Sequence, residues 1–186
     1  MTGEFTICAG TVGSGIWLSR DSGLRWRRAK MALPFFSKAG DVQVRALAVS
    51  PHTPGLAYAG SEVGLYRTED NGMSWELLES PMSGRQIWSI AVDPMDPDVM
   101  FAGTKPPAIF RSSDRGNSWE RLSAAIPEEC PIGPPRVTNL AIDPRKHDTV
   151  GRASNWGAFS AATTTVTTGL ACPNSDRAKA ALTFMA

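Results

Sequence analysis

Three stretches of the chain share one eight-residue pattern: Ser19-Arg20-Asp21-Ser22-Gly23-Leu24-Arg25-Trp26, Thr68-Glu69-Asp70-Asn71-Gly72-Met73-Ser74-Trp75 and Ser112-Ser113-Asp114-Arg115-Gly116-Asn117-Ser118-Trp119. The shared form is Ser/Thr-x-Asp-x-Gly-x-x-Trp, which we call the box. Successive box aspartates are 49 and 44 residues apart. A pattern that recurs at an interval of about 40–50 residues indicates a repeat architecture, in which each copy is one supersecondary unit.

Three further patterns recur around the boxes in a constant order. An Ala-Gly step occurs at Ala9-Gly10-Thr11, Ala59-Gly60-Ser61 and Ala102-Gly103-Thr104. An apolar-aromatic pair behind a small residue follows it at Gly15-Ile16-Trp17, Gly64-Leu65-Tyr66 and Ala108-Ile109-Phe110. An apolar run that ends in proline occurs at 46–51, 89–94 and 139–144. Chance does not explain several patterns that recur in one order.

Each unit divides into four short strands, A to D. In the second unit they are predicted at about 43–50, 55–61, 64–69 and 74–79, because these runs are apolar-rich and bounded by Pro, Gly and Asp turns. A four-stranded unit of about 40–50 residues is typical of a β-propeller blade. The sequence therefore predicts an all-β propeller of four-stranded antiparallel blades.

The predicted propeller is incomplete, with about three blades and an irregular C-terminal tail. The blades are predicted at about 5–30, 42–80 and 85–123, and the start of a fourth at 135–144. The first blade lacks its strand A, and the fourth unit stops matching the pattern after strand A. We therefore predict a partial propeller domain over residues 1–150 and a disordered, non-repeat tail over 151–186.

The genetic code suggests an origin for this tail. Codons for Trp156–Gly169, read from each third base, can encode Gly-Gly-Val-Leu-Arg-Ser-Asp-Asp-Asp-Gly-Asp-His-Trp. That peptide contains a strand followed by a fourth box with its spacing intact. Several positions of the peptide match the box at once. The hypothesis is that residues from about 150 are a frameshifted translation of a fourth blade.

The repeated box resembles the Asp-box, or BNR, repeat of sialidase-like β-propellers, and the resemblance covers about residues 5–144. It implies that each box lies in the hairpin between the third and fourth strands, at the rim away from the ligand face. We expect a structural role for the box residues. The Asp carboxylate accepts hydrogen bonds from its own turn, Gly supplies a positive φ and Trp covers the hairpin. These residues are Asp21, Gly23, Trp26, Asp70, Gly72, Trp75, Asp114, Gly116 and Trp119.

Composition limits the functional classes. The 186 residues carry a formal charge of +1, from 19 basic and 18 acidic side chains, which gives no general attraction to nucleic acid or to an anionic membrane. An odd count of three cysteines (Cys8, Cys130, Cys172) argues against a disulfide framework. His52 and His147 stand in no metal-ligand spacing, so no metal or other cofactor is expected. No leader pattern is visible near Met1, so a cytoplasmic location is predicted.

Propeller ligands usually bind at the face formed by the B–C and D–A loops, over the central channel. Polar or aromatic residues predicted near that face are Arg45, Trp88, Arg136, Glu62 and Lys105. They are the candidate ligand-binding residues, for a carbohydrate or a protein partner. Each could instead be an ordinary surface or packing residue.

Catalysis is not supported by the motifs. A sialidase needs an arginine cluster and a Tyr nucleophile, but Tyr58 and Tyr66 are the only tyrosines, and both occupy repeat-defined strand positions. A xyloglucanase-like glycosidase needs two carboxylates across a cleft, and Glu62, Glu128 and Glu129 cannot be paired from sequence.

Three interpretations remain open. The first is a non-catalytic binding or scaffold module, or a truncated remnant of one. The second is a glycoside hydrolase fragment, sialidase- or xyloglucanase-like, that is inactive without the missing blades. The third is a half-propeller that closes as a homodimer. In all three we expect no activity from this chain alone.

Overall fold

A computed structural model describes residues 5–33, 42–123, 134–143, 146–154 and 159–163. Every regular element in these ranges is a β-strand, so the predicted all-β class is confirmed. The strands form successive antiparallel sheets, each one blade. Blade 1 contains β1 (Ile7–Thr11), β2 (Gly15–Ser19) and β3 (Arg27–Arg28). A short strand, β4 (Lys30–Met31), follows it.

Blades 2 and 3 have four strands in the predicted order A to D. Blade 2 contains β5 (Val44–Val49), β6 (Ala57–Ser61), β7 (Leu65–Thr68) and β8 (Ser74–Leu77). Strand β4 pairs in parallel with β8, so the connection from blade 1 adds a fifth strand to this sheet. Blade 3 contains β9 (Gln86–Val92), β10 (Met100–Lys105), β11 (Ile109–Ser112) and β12 (Glu120–Arg121).

The fourth unit extends further than the sequence pattern predicted. It contains β13 (Val137–Asp143), β14 (Lys146–Ser154) and β15 (Phe159–Thr163), in the sheet order β13-β14-β15. The expectation that only strand A is present is therefore wrong. Val150, the predicted domain boundary, lies inside β14, because backbone pairing with β13 and β15 continues across it. Residues 155–158 and 164–186 lie outside the described residues.

The Ala-Gly step is where one blade packs on the next. Each glycine of the step lies in strand B of its blade (β1, β6 or β10), and an apolar residue from or beside strand A of the following blade packs directly against it. The pairs are Val44 on Gly10, Ile87 on Gly60 and Val137 on Gly103, where an added Cβ would lie 2.7, 2.6 and 2.5 Å from the neighbouring methyl carbon. A larger residue at these positions would separate the blades.

The apolar core is divided among the blade interfaces. Between blades 1 and 2 it includes Ile16, Val44, Tyr66 and Trp75. Between blades 2 and 3 it includes Tyr58, Leu65, Ile87 and Phe110. Between blades 3 and 4 it includes Phe101, Ile109, Val137 and Leu140. Hydrophobic burial between neighbouring sheets thus stabilises the packing of each blade on the next.

Each box lies in the turn between strands C and D of its blade, which in blade 1 are β2 and β3. In blade 2, Asp70 Oδ1 accepts hydrogen bonds from the Thr68 hydroxyl at 2.8 Å and from the Ser74 backbone N–H at 2.9 Å. The Trp75 indole N–H donates to the Gly72 carbonyl at 3.1 Å. The corresponding bonds recur in the other two boxes. The box glycines have φ values of +98°, +82° and +83° for Gly23, Gly72 and Gly116.

Candidate functional site

Three of the five predicted site residues form a single stack. The Arg45 guanidinium carbon lies 4.3 Å from the centre of the Trp88 ring, and that of Arg136 lies 4.1 Å from it. Arg45 belongs to β5, Trp88 to β9, and Arg136 precedes β13. Strands β5 and β13 belong to the blades on either side of β9, so the two cations reach the indole from two different neighbouring blades. Such contacts are cation–π interactions.

A local irregularity of the sheet orients two members of the stack. The register of β5 against β6 shifts between Val44 and Ala46, which leaves Arg45 without a cross-strand partner. The register of β9 against β10 shifts at the equivalent place, and Trp88 is the unpaired residue. A β-bulge turns the extra residue out of the regular alternation of side chains. Arg45 and Trp88 are therefore equivalent repeat positions in adjacent blades.

Two glutamines connect the stack to the other predicted residues. The Arg45 guanidinium donates a short hydrogen bond to the Gln43 side-chain oxygen, and the Gln43 backbone N–H donates to Glu62 Oε2 at 2.6 Å. The Trp88 indole N–H donates to Gln86 Oε1 at 3.2 Å. Gln86 lies opposite Lys105 in the β9–β10 ladder. The structure therefore places all five predicted residues at one end of blades 2 to 4.

Gln43 and Gln86 were not among the residues predicted from the sequence. Each precedes a buried aliphatic residue and then the bulged residue, in the segments Gln43-Val44-Arg45 and Gln86-Ile87-Trp88. This Gln-Val/Ile-x pattern is a repeat signal that could have revealed them. The pattern alone does not show which polar groups the glutamines contact, because those hydrogen bonds depend on the three-dimensional fold.

The two tyrosines are buried in the core rather than presented at this face. Tyr66 is 0% exposed, and burial, together with the nearby Glu62 charge, raises the pKa of Tyr66 to about 12. Tyr58 is 2% exposed, and burial raises its pKa as well. Both phenols therefore stay protonated at neutral pH. Neither has the exposure or acidity that a tyrosine nucleophile would need.

The charge balance of the site favours an anion. Arg45, Arg136 and Lys105 are cationic, and Glu62 is the single carboxylate among the five residues. Glu62 already accepts the Gln43 N–H. No described residue accepts a hydrogen bond from the buried Nε of Arg45. Guanidinium groups match the geometry of a carboxylate and hold it through two parallel N–H bonds.

The described residues contain neither a metal-binding cluster nor a helix that could cross a membrane. Within those ranges, no three His, Cys, Asp or Glu side chains are grouped so that they could hold a metal ion. The same part of the chain contains no helix long and apolar enough to cross a membrane.

Two relatives of different kinds are each similar to part of this chain. A Vacuolar protein sorting/targeting protein 10 from Chaetomium globosum is 26% identical over 93 residues, which are 50% of this chain and 6% of that protein. A xyloglucanase from Hypocrea jecorina is 27% identical over 116 residues, which are 61% of this chain and 13% of that protein. The chain thus spans a small fraction of the length of these relatives.

Similarity to solved structures supports the same fold. An ancestral GH74 enzyme aligns with a TM-score of 0.68 at 19% identity, over 86% of this chain and 21% of that chain. The predicted propeller fold, and its partial extent, are thereby confirmed. A family model, Sortilin-Vps10, described as sortilin and neurotensin receptor 3, matches residues 64–168. Because this match covers more than half of the sequence, the chain belongs to the Sortilin-Vps10 family.

Proposed function

We propose that this chain is a non-catalytic β-propeller module that binds a carboxylate-bearing partner at the face formed by Arg45, Trp88 and Arg136. The boxes are, in this proposal, Asp boxes in the sense of the BNR repeats, and they serve the fold alone. The cytoplasmic location predicted from the sequence stays a prediction.

The arginine–tryptophan stack is the observation that carries this proposal. The guanidinium carbons of Arg45 and Arg136 lie 4.3 and 4.1 Å from the centre of the Trp88 ring. A neutral sugar would need a free aromatic face for stacking, whereas the guanidinium N–H groups can receive a carboxylate without displacing the indole. Ordering these side chains before the ligand arrives reduces the entropic cost of binding.

The source of the carboxylate is tested with two kinds of probe. Isothermal titration calorimetry would compare an oligogalacturonate, a glutamate-rich peptide and a neutral xyloglucan oligosaccharide. Binding of one acidic probe and not of the neutral sugar is expected, and it would distinguish an acidic carbohydrate from an acidic protein segment. Failure of both acidic probes, or equal binding of the neutral sugar, would contradict the proposal.

Variants of the stack connect the binding to the named residues. Trp88→Leu removes the platform that orders both arginines, so we expect at least a tenfold loss of affinity, or about 1.4 kcal/mol. Arg27→Gln is the matched control, because Arg27 is an exposed cation on β3, remote from the stack. Equal losses in the two variants would indicate only a general effect of charge.

A glycoside hydrolase fragment is the second candidate, favoured by the similarity to a xyloglucanase and to a GH74 structure. Hydrolysis requires a pair of carboxyl groups about 5–10 Å apart. Of the acidic residues considered from the sequence, Glu62 lies at the candidate face, and Glu128 and Glu129 lie outside the described residues. Release of reducing sugar from xyloglucan by this chain, and its loss in Glu62→Gln, would favour the hydrolase over the binding module.

A further inference from the structure

The first blade has an open inner edge. In blades 2, 3 and 4, strand B pairs on its inner side with strand A of the same blade. These pairs are β6 with β5, β10 with β9 and β14 with β13. In the described residues, β1 pairs with β2 alone. A strand edge with unpaired backbone groups is a template for another strand.

An apolar groove borders this edge. Leu47 and Val49 of β5 are 36% and 71% exposed beside it. Their counterparts in blade 3, Ile90 and Val92, pack against the core between blades 2 and 3. The groove has a volume of about 170 Å³ and is also lined by Cys8 and Trp75. The repeat thus shows that a first strand belongs in the groove.

The box of blade 1 is also incompletely covered. Trp26 is 43% exposed, although the equivalent Trp75 is 2% exposed. Trp75 is covered because blade 1 packs on its box, where an added Cβ on Gly72 would lie 2.6 Å from the Cys8 sulfur. Blade 1 therefore exposes both the position of a missing inner strand and the surface that faces a preceding blade.

We propose that β13 of a second copy of this chain occupies the open edge of β1, so that two copies exchange this strand and close one six-bladed ring. Each copy supplies blades 2 and 3 complete, and each blade 1 gains its inner strand from the other copy. Six blades lie within the usual range of about four to eight for closed propellers. The exchange is reciprocal and two-fold symmetric, as in other domain-swapped dimers. It is independent of the proposed ligand-binding face.

The repeat fixes the register of the exchanged strand. Ala48 lies opposite Tyr58, and Ala91 lies opposite Phe101, in blades 2 and 3. Cys8 occupies the position of Tyr58 and Phe101, immediately before the Ala-Gly step. Ala141 is the β13 residue equivalent to Ala48 and Ala91, and it should therefore lie opposite Cys8 of the other copy.

Strand β1 fits β13 better than β14 does. In the described fold, Ala141, Leu140 and Asn139 lie opposite Gly151, Arg152 and Ala153. In β14, the sequence Gly151-Arg152-Ala153 stands where the other blades have an aromatic residue (in blade 1, Cys8) followed by Ala-Gly. Ala153 therefore takes the position of the glycine on which the next blade packs. Strand β1 retains the Ala-Gly step in Cys8-Ala9-Gly10.

The exchange leaves β13 attached to its own blade 3. Val137 stays packed on Gly103, and the Ser89 hydroxyl continues to donate to the Val137 carbonyl at 2.9 Å. Strands β1 to β3 of the other copy replace β14 and β15. Their arrival covers Leu47 and Val49 on one side and places Trp26 against the partner's Phe101 on the other, which removes exposed apolar area from water.

A disulfide trap on the full chain tests the register. Ala141→Cys, combined with Cys130→Ser and Cys172→Ser, places a thiol opposite the native Cys8 of the other copy. Cross-strand neighbours have a Cα separation that a disulfide can bridge. Oxidation at mildly alkaline pH should give a covalent dimer of twice the 19.9 kDa chain. Mass spectrometry should then detect a peptide in which Cys8 is joined to the thiol introduced by Ala141→Cys. Ala91→Cys in the same background is the control, because that position lies opposite Phe101.

Light scattering on unmodified protein completes the test. We expect the unmodified chain to be a dimer. Val49→Asp should raise the dissociation constant of that dimer at least tenfold, whereas Met95→Asp, at a residue 68% exposed in a turn, should leave the constant unchanged. A monomer at all concentrations would overturn the proposal. A dimer in which Ala141→Cys forms no link to Cys8, or in which Ala91→Cys forms that link equally often, would overturn it too.

Discussion

The Tyr58 hydroxyl donates a hydrogen bond of 2.8 Å to the backbone carbonyl of Arg115 and thereby joins blade 2 to the box of blade 3. Tyr66 occupies a buried position in blade 2 as well, but no described residue hydrogen-bonds its hydroxyl. The two buried hydroxyls therefore differ in hydrogen bonding: that of Tyr58 has a partner, and that of Tyr66 has none among the described residues.

Removal of the Tyr58 hydroxyl should destabilise the protein. Tyr58→Phe deletes the bond to Arg115, and the free energy of unfolding should fall by about 1 kcal/mol. Tyr66→Phe is the matched control and should be neutral or stabilising, because it removes a buried hydroxyl that has no partner. Urea denaturation followed by tryptophan fluorescence measures both. A larger loss in Tyr66→Phe than in Tyr58→Phe would contradict this account.

The close packing of Val44 on Gly10 predicts a coupled pair. Gly10→Ala inserts a methyl group 2.7 Å from the Val44 Cγ1, so we expect a cost of about 1–3 kcal/mol. Val44→Ala removes that methyl carbon and should relieve part of the crowding. The double variant should therefore be less destabilised than the sum of the two single variants. Additive effects in the unfolding free energies would show that the two residues are not in contact.

The box of blade 2 predicts a loss of stability in acid. Burial of Asp70 opposes ionisation, but hydrogen bonds from Ser74, Thr68 and Met73 outweigh it and lower its pKa from 3.8 to about 2. The folded state therefore binds this proton less readily than the unfolded chain. The resulting stabilisation is complete above about pH 4 and is lost as the pH falls through about 2. Asp70→Asn should weaken this dependence in thermal unfolding curves recorded across that range, and an unchanged curve would contradict the assignment.

The box of blade 1 lacks one hydrogen bond that the other two boxes have. The Ser74 and Ser118 hydroxyls donate to the second oxygen of Asp70 and Asp114, both at 2.5 Å. Arg25 occupies the equivalent position beside Asp21. Arg25→Ser should therefore add a bond to Asp21 and raise the unfolding free energy. Arg20→Ser, at a neighbouring exposed position, is the control, and an equal gain there would point to a charge effect.

The proposed frameshift predicts a specific result at the DNA level. In the described fold, Arg152 stands at the position of Ala59 and Ala102, both 0% exposed, and Ala153 stands at the position of Gly60 and Gly103. Sequencing of the locus should reveal a single-base shift near codon 150 that restores the Ala-Gly step and further boxes. A locus with no such frame would refute the hypothesis, and the pairing of β14 with β13 and β15 would then be native structure.

The sequence by itself determined the repeat, the blade and the position of the boxes. Strand and turn chemistry is local, so the alternation of apolar runs with Pro, Gly and Asp turns was sufficient to place β5 to β8 and their counterparts. It also placed Arg45, Trp88, Arg136, Glu62 and Lys105 near one face, because equivalent residues of successive blades lie at the same end of their strands.

Only the tertiary structure decided which of these residues meet. The stack forms because bulges orient Arg45 and Trp88, and Arg136 approaches from the blade on the other side; neither the bulges nor the blade-to-blade distance is encoded in a local pattern. The same holds for the continuation of blade 4 through β14 and β15, since backbone pairing tolerates side chains that break the repeat. A sequence pattern predicts the strand or turn position of a residue within its own blade, because those preferences are local. Contacts between blades depend on how separate sheets pack, which a local pattern does not specify.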